Sequence, residues 1–326
     1  MMVPADPLAP LRTLLSEGRF REAVEWRLEG EAAVTGRPDG RLMAATAALR
    51  IGEVELGQQD AVLALDEFTA QTDRDGRMRC LNLLGAVAFE RGNMESAGER
   101  FTAGLELAQA LNDTLTTARA SNNLAAVAHL QGNNEKALSL YRTALLAYHR
   151  LGDRRGAAET YHNLNMTFRQ LHMWHDAQDA AAEAVRHADM VGESWLKSLV
   201  LTGKAELHLE LGEPRIAEQI LDHAESLAQK SGDEVGIGEI CRLRALIALL
   251  REEPRDALDH ASNGLAIAAR LGSALLEGEC AAAAARASRA LGREDSTSHY
   301  RKLATSRFEK LGANRLLDDL QRNLAG

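Results

Sequence analysis

The sequence predicts an all-α fold: a solenoid of about eight helix-turn-helix repeats closed by a C-terminal cap helix. Three observations carry this. Gly92-Asn93-Met94-Glu95-Ser96-Ala97 returns forty residues later as Gly132-Asn133-Asn134-Glu135-Lys136-Ala137, and the same slot then holds 172–177, 212–217, 252–257 and 292–297. A second mark keeps the same step: Asn112-Asp113, Gly152-Asp153, Gly192-Glu193, Gly232-Asp233, Gly272-Ser273 and Gly312-Ala313. The stretches between marks carry apolar residues three and four apart, as in Leu124, Val127 and Ala128, or Ala137, Leu140, Tyr141, Ala144 and Leu145. That spacing is an amphipathic stripe. No such helix buries its stripe alone, so each must stack on its neighbours.

Each mark has a local cause. A glycine just past a helix takes the left-handed conformation at little cost. Asp113, Asp153 and Asp233 stand where a carboxylate caps the next helix's free amides, and Asn93 and Asn133 stand likewise before the second helix of their repeats. Pro214 and Pro254 share one repeat position just inside that second helix, where the missing N–H costs nothing. The remaining prolines that cluster, Pro4, Pro7 and Pro10, lie in the first ten residues.

The earlier units are less regular. Gly18 to Ala23 repeats the turn, and Leu56-Gly57 to Ala61 reads as a version one residue shorter. The expected organisation is an N-terminal tail over 1–6 and repeats at about 7–36, 39–73, 74–113, 114–153, 154–193, 194–233, 234–273 and 274–313. A cap helix over 314–326 follows, with Leu316, Leu317 and Leu320 on one face to cover the last open apolar surface. About 17 helices and no strand are expected. Ala97, Ala137, Ala177, Ala217 and Ala257 should be buried where the two helices of each repeat meet.

The composition agrees with a folded helical chain: 45% hydrophobic, 26% charged and only 4% aromatic, so small side chains must do most of the packing. A net charge of −9 without a dense basic run argues against a nucleic-acid partner. Cys80, Cys241 and Cys280 are too far apart for a zinc knuckle or a disulfide framework and read as reduced thiols. The start lacks the pattern of a signal peptide and no apolar stretch approaches a membrane span, so a cytoplasmic protein without a membrane partner is expected.

These residues resemble the tetratricopeptide repeat family. Its pattern places a large residue, Leu and Gly or Ala on the first helix (A), then Ala, an aromatic and Ala on the second (B). Here this reads Leu81, Leu84, Gly85, Ala97, Phe101, Gly104; then Leu124, Ala125, Ala137, Tyr141, Ala144; then Tyr161, Leu164, Ala177, Ala184. The resemblance covers about residues 7–313 and fades at the end, where Thr297 and Arg301 replace the Ala and the aromatic. The period is 40 rather than 34, and Leu-Gly-Asp replaces the proline that usually closes helix B, which looks like the longer-helix subgroup. The resemblance implies a right-handed α-α superhelix with a concave inner surface lined by the A helices.

A search for chemistry yields little. There is no phosphate-binding glycine loop and no His-Glu-x-x-His pattern. His149, His162, His172, His175 and His187 cluster in sequence, and His172 and His175 flank Trp174, but no third metal ligand accompanies them. No enzyme, cofactor or metal is therefore expected. The inner slots that the resemblance implies hold Arg79 and Asn82 in the third unit, Arg119, Asn122 and Asn123 in the fourth, and His162, Asn163, Met166 and Arg169 in the fifth. Asn123 and Asn163 share one slot. An amide offers donor and acceptor together, which matches a peptide backbone. The alternative is that these Asn bond between adjacent repeats, and that Arg79 and Arg119 make only local ion pairs. Asn165 replaces the small residue expected where helices approach closely, so its amide must find partners.

The expected function is a protein- or peptide-binding scaffold or adaptor that uses the concave groove. The alternative is a peptide-sensing regulatory module that alters a partner's activity on ligand binding. The charged clamp that some family members use for carboxylates is not expected, because Glu159 stands at one of its slots.

Overall fold

The computed structural model describes residues 6–17, 19–30 and 34–325. Seventeen helices and no strand are found among them. In chain order they are α1 Ala9–Ser16, α2 Phe20–Glu29, α3 Pro38–Arg50, α4 Val54–Ala70, α5 Arg74–Glu90, α6 Met94–Ala110, α7 Thr114–Leu130, α8 Asn134–Leu151 and α9 Arg154–Gln170. There follow α10 Trp174–Val191, α11 Ser194–Glu210, α12 Pro214–Ser231, α13 Glu234–Leu250, α14 Pro254–Leu271, α15 Ala274–Ala290, α16 Glu294–Leu311 and α17 Asn314–Ala325. The turn glycine expected at Gly18, and residues 1–5 of the expected N-terminal tail, lie outside the described residues.

The caps act as their chemistry dictates. Asp113, Asp153 and Asp233 each accept from the backbone N–H three residues on, at 3.0 Å, and Asp73 does the same for Gly76. Pro214 and Pro254 open their helices. In the turns that follow α3 to α16 one residue takes a positive φ, even where it is not glycine: Thr72 (56°), Asn112 (55°), His172 (56°) and Glu252 (61°). The two-residue turn fixes that geometry, and side chains that disfavour it are forced into it.

One expected turn is misplaced. The second unit turns at Gly52 (φ 78°), before α4 begins at Val54, and not at Gly57. Gly57 lies inside α4 at the slot that Ala97 fills forty residues later. A Cβ there would stand 3.0 Å from Leu49 and 3.1 Å from the Ala45 carbonyl. The close helix contact has shrunk Ala to Gly, and Ala61 misleadingly resembles the conserved small residue.

The chain divides into two compact units: residues 1–89 with 95–120, and residues 90–94 with 121–326. In the first, Leu11, Ala23, Val24, Ala47 and Ala48 form one core cluster, and Leu42, Ala64, Phe68 and Cys80 another. In the second, α9 packs on α10, α11 on α12, α13 on α14 and α15 on α16. Ala177, Ala217 and Ala257 are buried at these contacts, Ala137 of α8 is buried with Ala125 and Ala128 of α7, and Ala97 is buried in the first unit. Small residues let the backbones come close, and Tyr141, Leu164, Leu221 and Ile240 fill the larger gaps. Each repeat also packs on the next, and the A helices α9, α11, α13 and α15 touch one another in sequence. Successive B helices do not approach as closely. The A side of this unit is therefore its concave side. α17 lies across α15 and α16, with Leu320 buried.

Candidate functional site

The inner face of the second unit is built from equivalent positions on α7, α9, α11, α13 and α15. Its upper part is amide-rich. Asn122 is buried, and its Oδ1 accepts from Thr160 Oγ1 at 3.1 Å and from Asn163 Nδ2 at 3.4 Å. The Asn122–Asn163 contact is an inter-repeat bond of the kind the alternative reading requires, and it is long. Asn123 and Asn163 are half-buried, neither sealed between repeats nor fully exposed. Thr167 Oγ1 shares a hydrogen bond with His129 Nδ1 at 3.2 Å, linking α9 to α7. Met166 is half-buried.

Asn165 is 1% exposed and finds partners: its Nδ2 donates to the Ala177 carbonyl at 2.9 Å, and its Oδ1 accepts from Arg169 at 3.4 Å. The amide thus ties α9 to α10 and anchors Arg169. His162 lies against Gly203 of α11. A Cβ at Gly203 would come within 2.5 Å of the imidazole, so only glycine admits the ring there. Burial, and then the nearby Arg169 charge, push His162 down to about 4 and keep it neutral.

Below this, four residues form a diagonal ladder of alternating charge. Arg169 Nη2 pairs with Glu206 Oε2 at 2.8 Å and with Glu210 Oε1 at 2.9 Å. Arg242 Nη2 meets Glu206 Oε1 at 2.8 Å, Arg242 Nε meets Glu239 at 2.8 Å, and Glu279 stands 3.6 Å from the same nitrogen. Burial alone would raise Glu206, but the two guanidiniums override it and hold its carboxyl at about 2. Glu279 has the opposite fate: burial, with Glu239 and Glu206 nearby, outweighs Arg242 and lifts it to about 7.

Of the site residues expected from sequence, Asn122, Asn123, His162, Asn163, Met166 and Arg169 lie in this unit. Arg79, Asn82 and Arg119 belong to the first unit. There Arg79 pairs with Asp75 and with Asp39, each at 2.9 Å, and lies 5.4 Å from the Phe68 ring centre. Arg119 is exposed. Glu206, Glu210, Glu239, Arg242 and Glu279 were missed, although the same slots in the sixth to eighth units hold them. Arg169, Glu206, Arg242 and Glu279 are 37, 36 and 37 residues apart, which is one repeat less one helical turn. Opposite charges at that step mark a line running obliquely across stacked A helices. His172 is exposed beside Trp174, and His175 pairs with Asp179 at 3.2 Å. Among the described residues no group of three or more His, Cys, Asp or Glu is arranged to hold a metal ion. No described helix is long and apolar enough to cross a membrane.

A family model for the tetratricopeptide repeat matches residues 76–145 and 116–189. Residues 76–189 are tetratricopeptide repeats. Solved structures of similar fold extend over nearly its whole length. A Rap protein complexed with competence and sporulation factor aligns over 98% of this chain and 91% of its own, at TM-score 0.73 and 14% identity. The Rap conjugation gene regulator of the plasmid pLS20, in complex with a Phr peptide, aligns over 91% and 78%, at 0.66 and 13%. The Cut9-Hcn1 assembly of APC/C aligns over 98% and 55%, at 0.65 and 14%. At these identities the likeness is one of fold. No curated protein matches the sequence.

Proposed function

We propose that the protein is a peptide-binding scaffold or adaptor whose partner segment lies along the A helices of the second unit. The observation that carries the reading is the inner face itself. Among the described residues Asn163 Oδ1 has no hydrogen bond and only one Nδ2 hydrogen is used, in a long bond, so the amide retains capacity for both a donor and an acceptor of a peptide group. Asn123 stands at the same slot one repeat earlier. The fold relative whose structure is in complex with a Phr peptide supports this class of ligand.

The test begins with peptides selected from a random display library against the intact protein. The Asn123→Ala, Asn163→Ala double variant should bind a selected peptide about ten-fold more weakly, since each Asn contributes roughly 0.5–1.5 kcal/mol. Its melting temperature should stay within a few degrees of the wild type. Unchanged affinity with a lowered melting temperature would instead assign these residues to inter-repeat bonding.

The fold relatives also motivate a second reading: a regulatory module whose repeats tighten on a signal peptide and change a partner's activity. Small-angle scattering with and without a selected peptide separates the two. A regulator becomes more compact in a salt-dependent way, and a rigid scaffold does not.

A further inference from the structure

The lower end of the ladder leaves one carboxylate loosely paired and, among the described residues, one guanidinium without a partner. Glu279 is the third carboxylate around Arg242, whose nitrogens already serve Glu206 and Glu239 at 2.8 Å; at 3.6 Å it makes no hydrogen bond. Its side chain is 22% exposed. Arg286, two turns further along α15, is half-buried and makes no hydrogen bond or ion pair among the described residues. Burial, with no anion to offset it, lowers its pKa.

Glu279 and Arg286 do not neutralise each other because seven residues of helix separate them by about 10 Å along the axis. Between them stand Ala282 and Ala283, too small to fill the gap. All four residues line one cleft of about 110 Å3. Its remaining walls are mixed: Leu246 of α13, Phe308 of α16, and Leu316 and Leu320 of α17 are apolar, while Arg242, held by Glu206 and Glu239, and Asn323 also border it. Asp319 also borders it but already pairs with Arg322 at 2.5 Å. This is room for a ligand of amino-acid size, far below the roughly 300 Å3 at which drug-sized pockets begin.

A half-buried charge without a partner is costly. A simple cation would relieve Glu279 and leave Arg286 as it is; a simple anion would do the reverse. A neutral ligand with both charges relieves both. In an α-amino acid the ammonium and carboxylate lie about 3 Å apart, and two charge-assisted hydrogen bonds of about 2.8 Å each bring the span to about 9 Å. That is of the order of the backbone rise between the two residues along α15, and both long side chains are able to take up the difference.

We propose that the cleft between α13, α15 and α17 binds a small aliphatic α-amino acid as its zwitterion. The ammonium is held by Glu279, the carboxylate by Arg286, and the side chain packs on Leu246, Leu316 and Leu320. This site is separate from the peptide-binding reading and stands or falls without it.

The probe is L-leucine added to the intact protein near neutral pH, followed by calorimetry and thermal shift. Leucinamide, which lacks the carboxylate, and N-acetyl-leucine, which lacks the ammonium, are the comparison ligands. Leucine should bind saturably and at least ten-fold more tightly than either. Arg286→Gln should abolish the preference for leucine over leucinamide, and Glu279→Gln the preference over N-acetyl-leucine. Both variants should remain folded, because neither side chain has a hydrogen bond to lose. The proposal is overturned if leucine shows no saturable binding up to about 10 mM. It is equally overturned if the three ligands bind alike, or if both variants bind leucine as the wild type does.

Discussion

The two units each contain a network of arginines and carboxylates, and the networks differ in how they end. In the first unit Asp60, 1% exposed, accepts from Arg27 at 2.7 Å and from Arg41 at 3.4 Å, and Arg41 continues to Glu67 at 3.0 Å. It ties α2, α3 and α4 together within the interior. In the second unit the ladder from Arg169 to Glu279 runs along the concave face, and its last rung has no hydrogen bond. The same side-chain chemistry thus serves as internal cross-bracing in one place and as a surface with unmet bonding capacity in the other. A buried ion pair is weak evidence for stability in itself, but removing one member leaves uncompensated charge.

The largest effect expected from this contrast is at Asp60. Asp60→Ala removes the buried carboxylate that two buried guanidiniums share and should destabilise the protein by about 3–5 kcal/mol, read by urea denaturation. A loss below 1 kcal/mol would mean the network relaxes into water and does not brace the first unit.

The pH dependence of the second unit comes next, and its signs differ from group to group. Glu206 is depressed from 4.5 to about 2, so its stabilisation is present above pH 4.5 and is lost as pH falls through 2. His162 is depressed from 6.5 to about 4, so its contribution is present above pH 6.5 and is lost as pH falls through 4. Glu279 is raised from 4.5 to about 7, so its contribution is present below pH 4.5 and is lost as pH rises through 7. Glu279→Gln should therefore leave stability near pH 5 little changed and raise it by about 1–2 kcal/mol near pH 8. Denaturation at the two pH values checks this, and equal effects at both would contradict the assignment.

The smallest effects sit in the turns, one in each unit. Thr72→Gly and His172→Gly remove a side chain from a left-handed position and should each stabilise by about 1 kcal/mol. Thr72 should gain more, because its branched Cβ suits positive φ least. Thermal melts of the two variants make the comparison.

Much of this architecture was legible in the sequence because it is repetitive. The Gly-Asp marks, the prolines at 214 and 254, and the alanines at 97 to 257 each follow from one local cause that recurs every forty residues. The second repeat's turn was misread because only one glycine of the pair was weighed: Gly52 turns the chain, whereas Gly57 packs a helix. The candidate face was partly legible. The slot rule placed Asn122, Asn163 and Arg169 on neighbouring A helices, and Asn165 was marked as needing partners. The hydrogen bond from Asn163 to Asn122 depends on side-chain direction, which repeat position leaves open. The ladder depends on residues in different repeats meeting obliquely, and a register that compares equal slots passes over a step of 36 or 37.

The claim that the concave A-helix face of the second unit is the binding surface is tested most directly by hydrogen–deuterium exchange with and without a selected peptide. Binding should slow exchange in α7, α9, α11 and α13 and leave α10, α12 and α14 unchanged. Protection confined to those B helices would place the partner on the outer side and contradict the account.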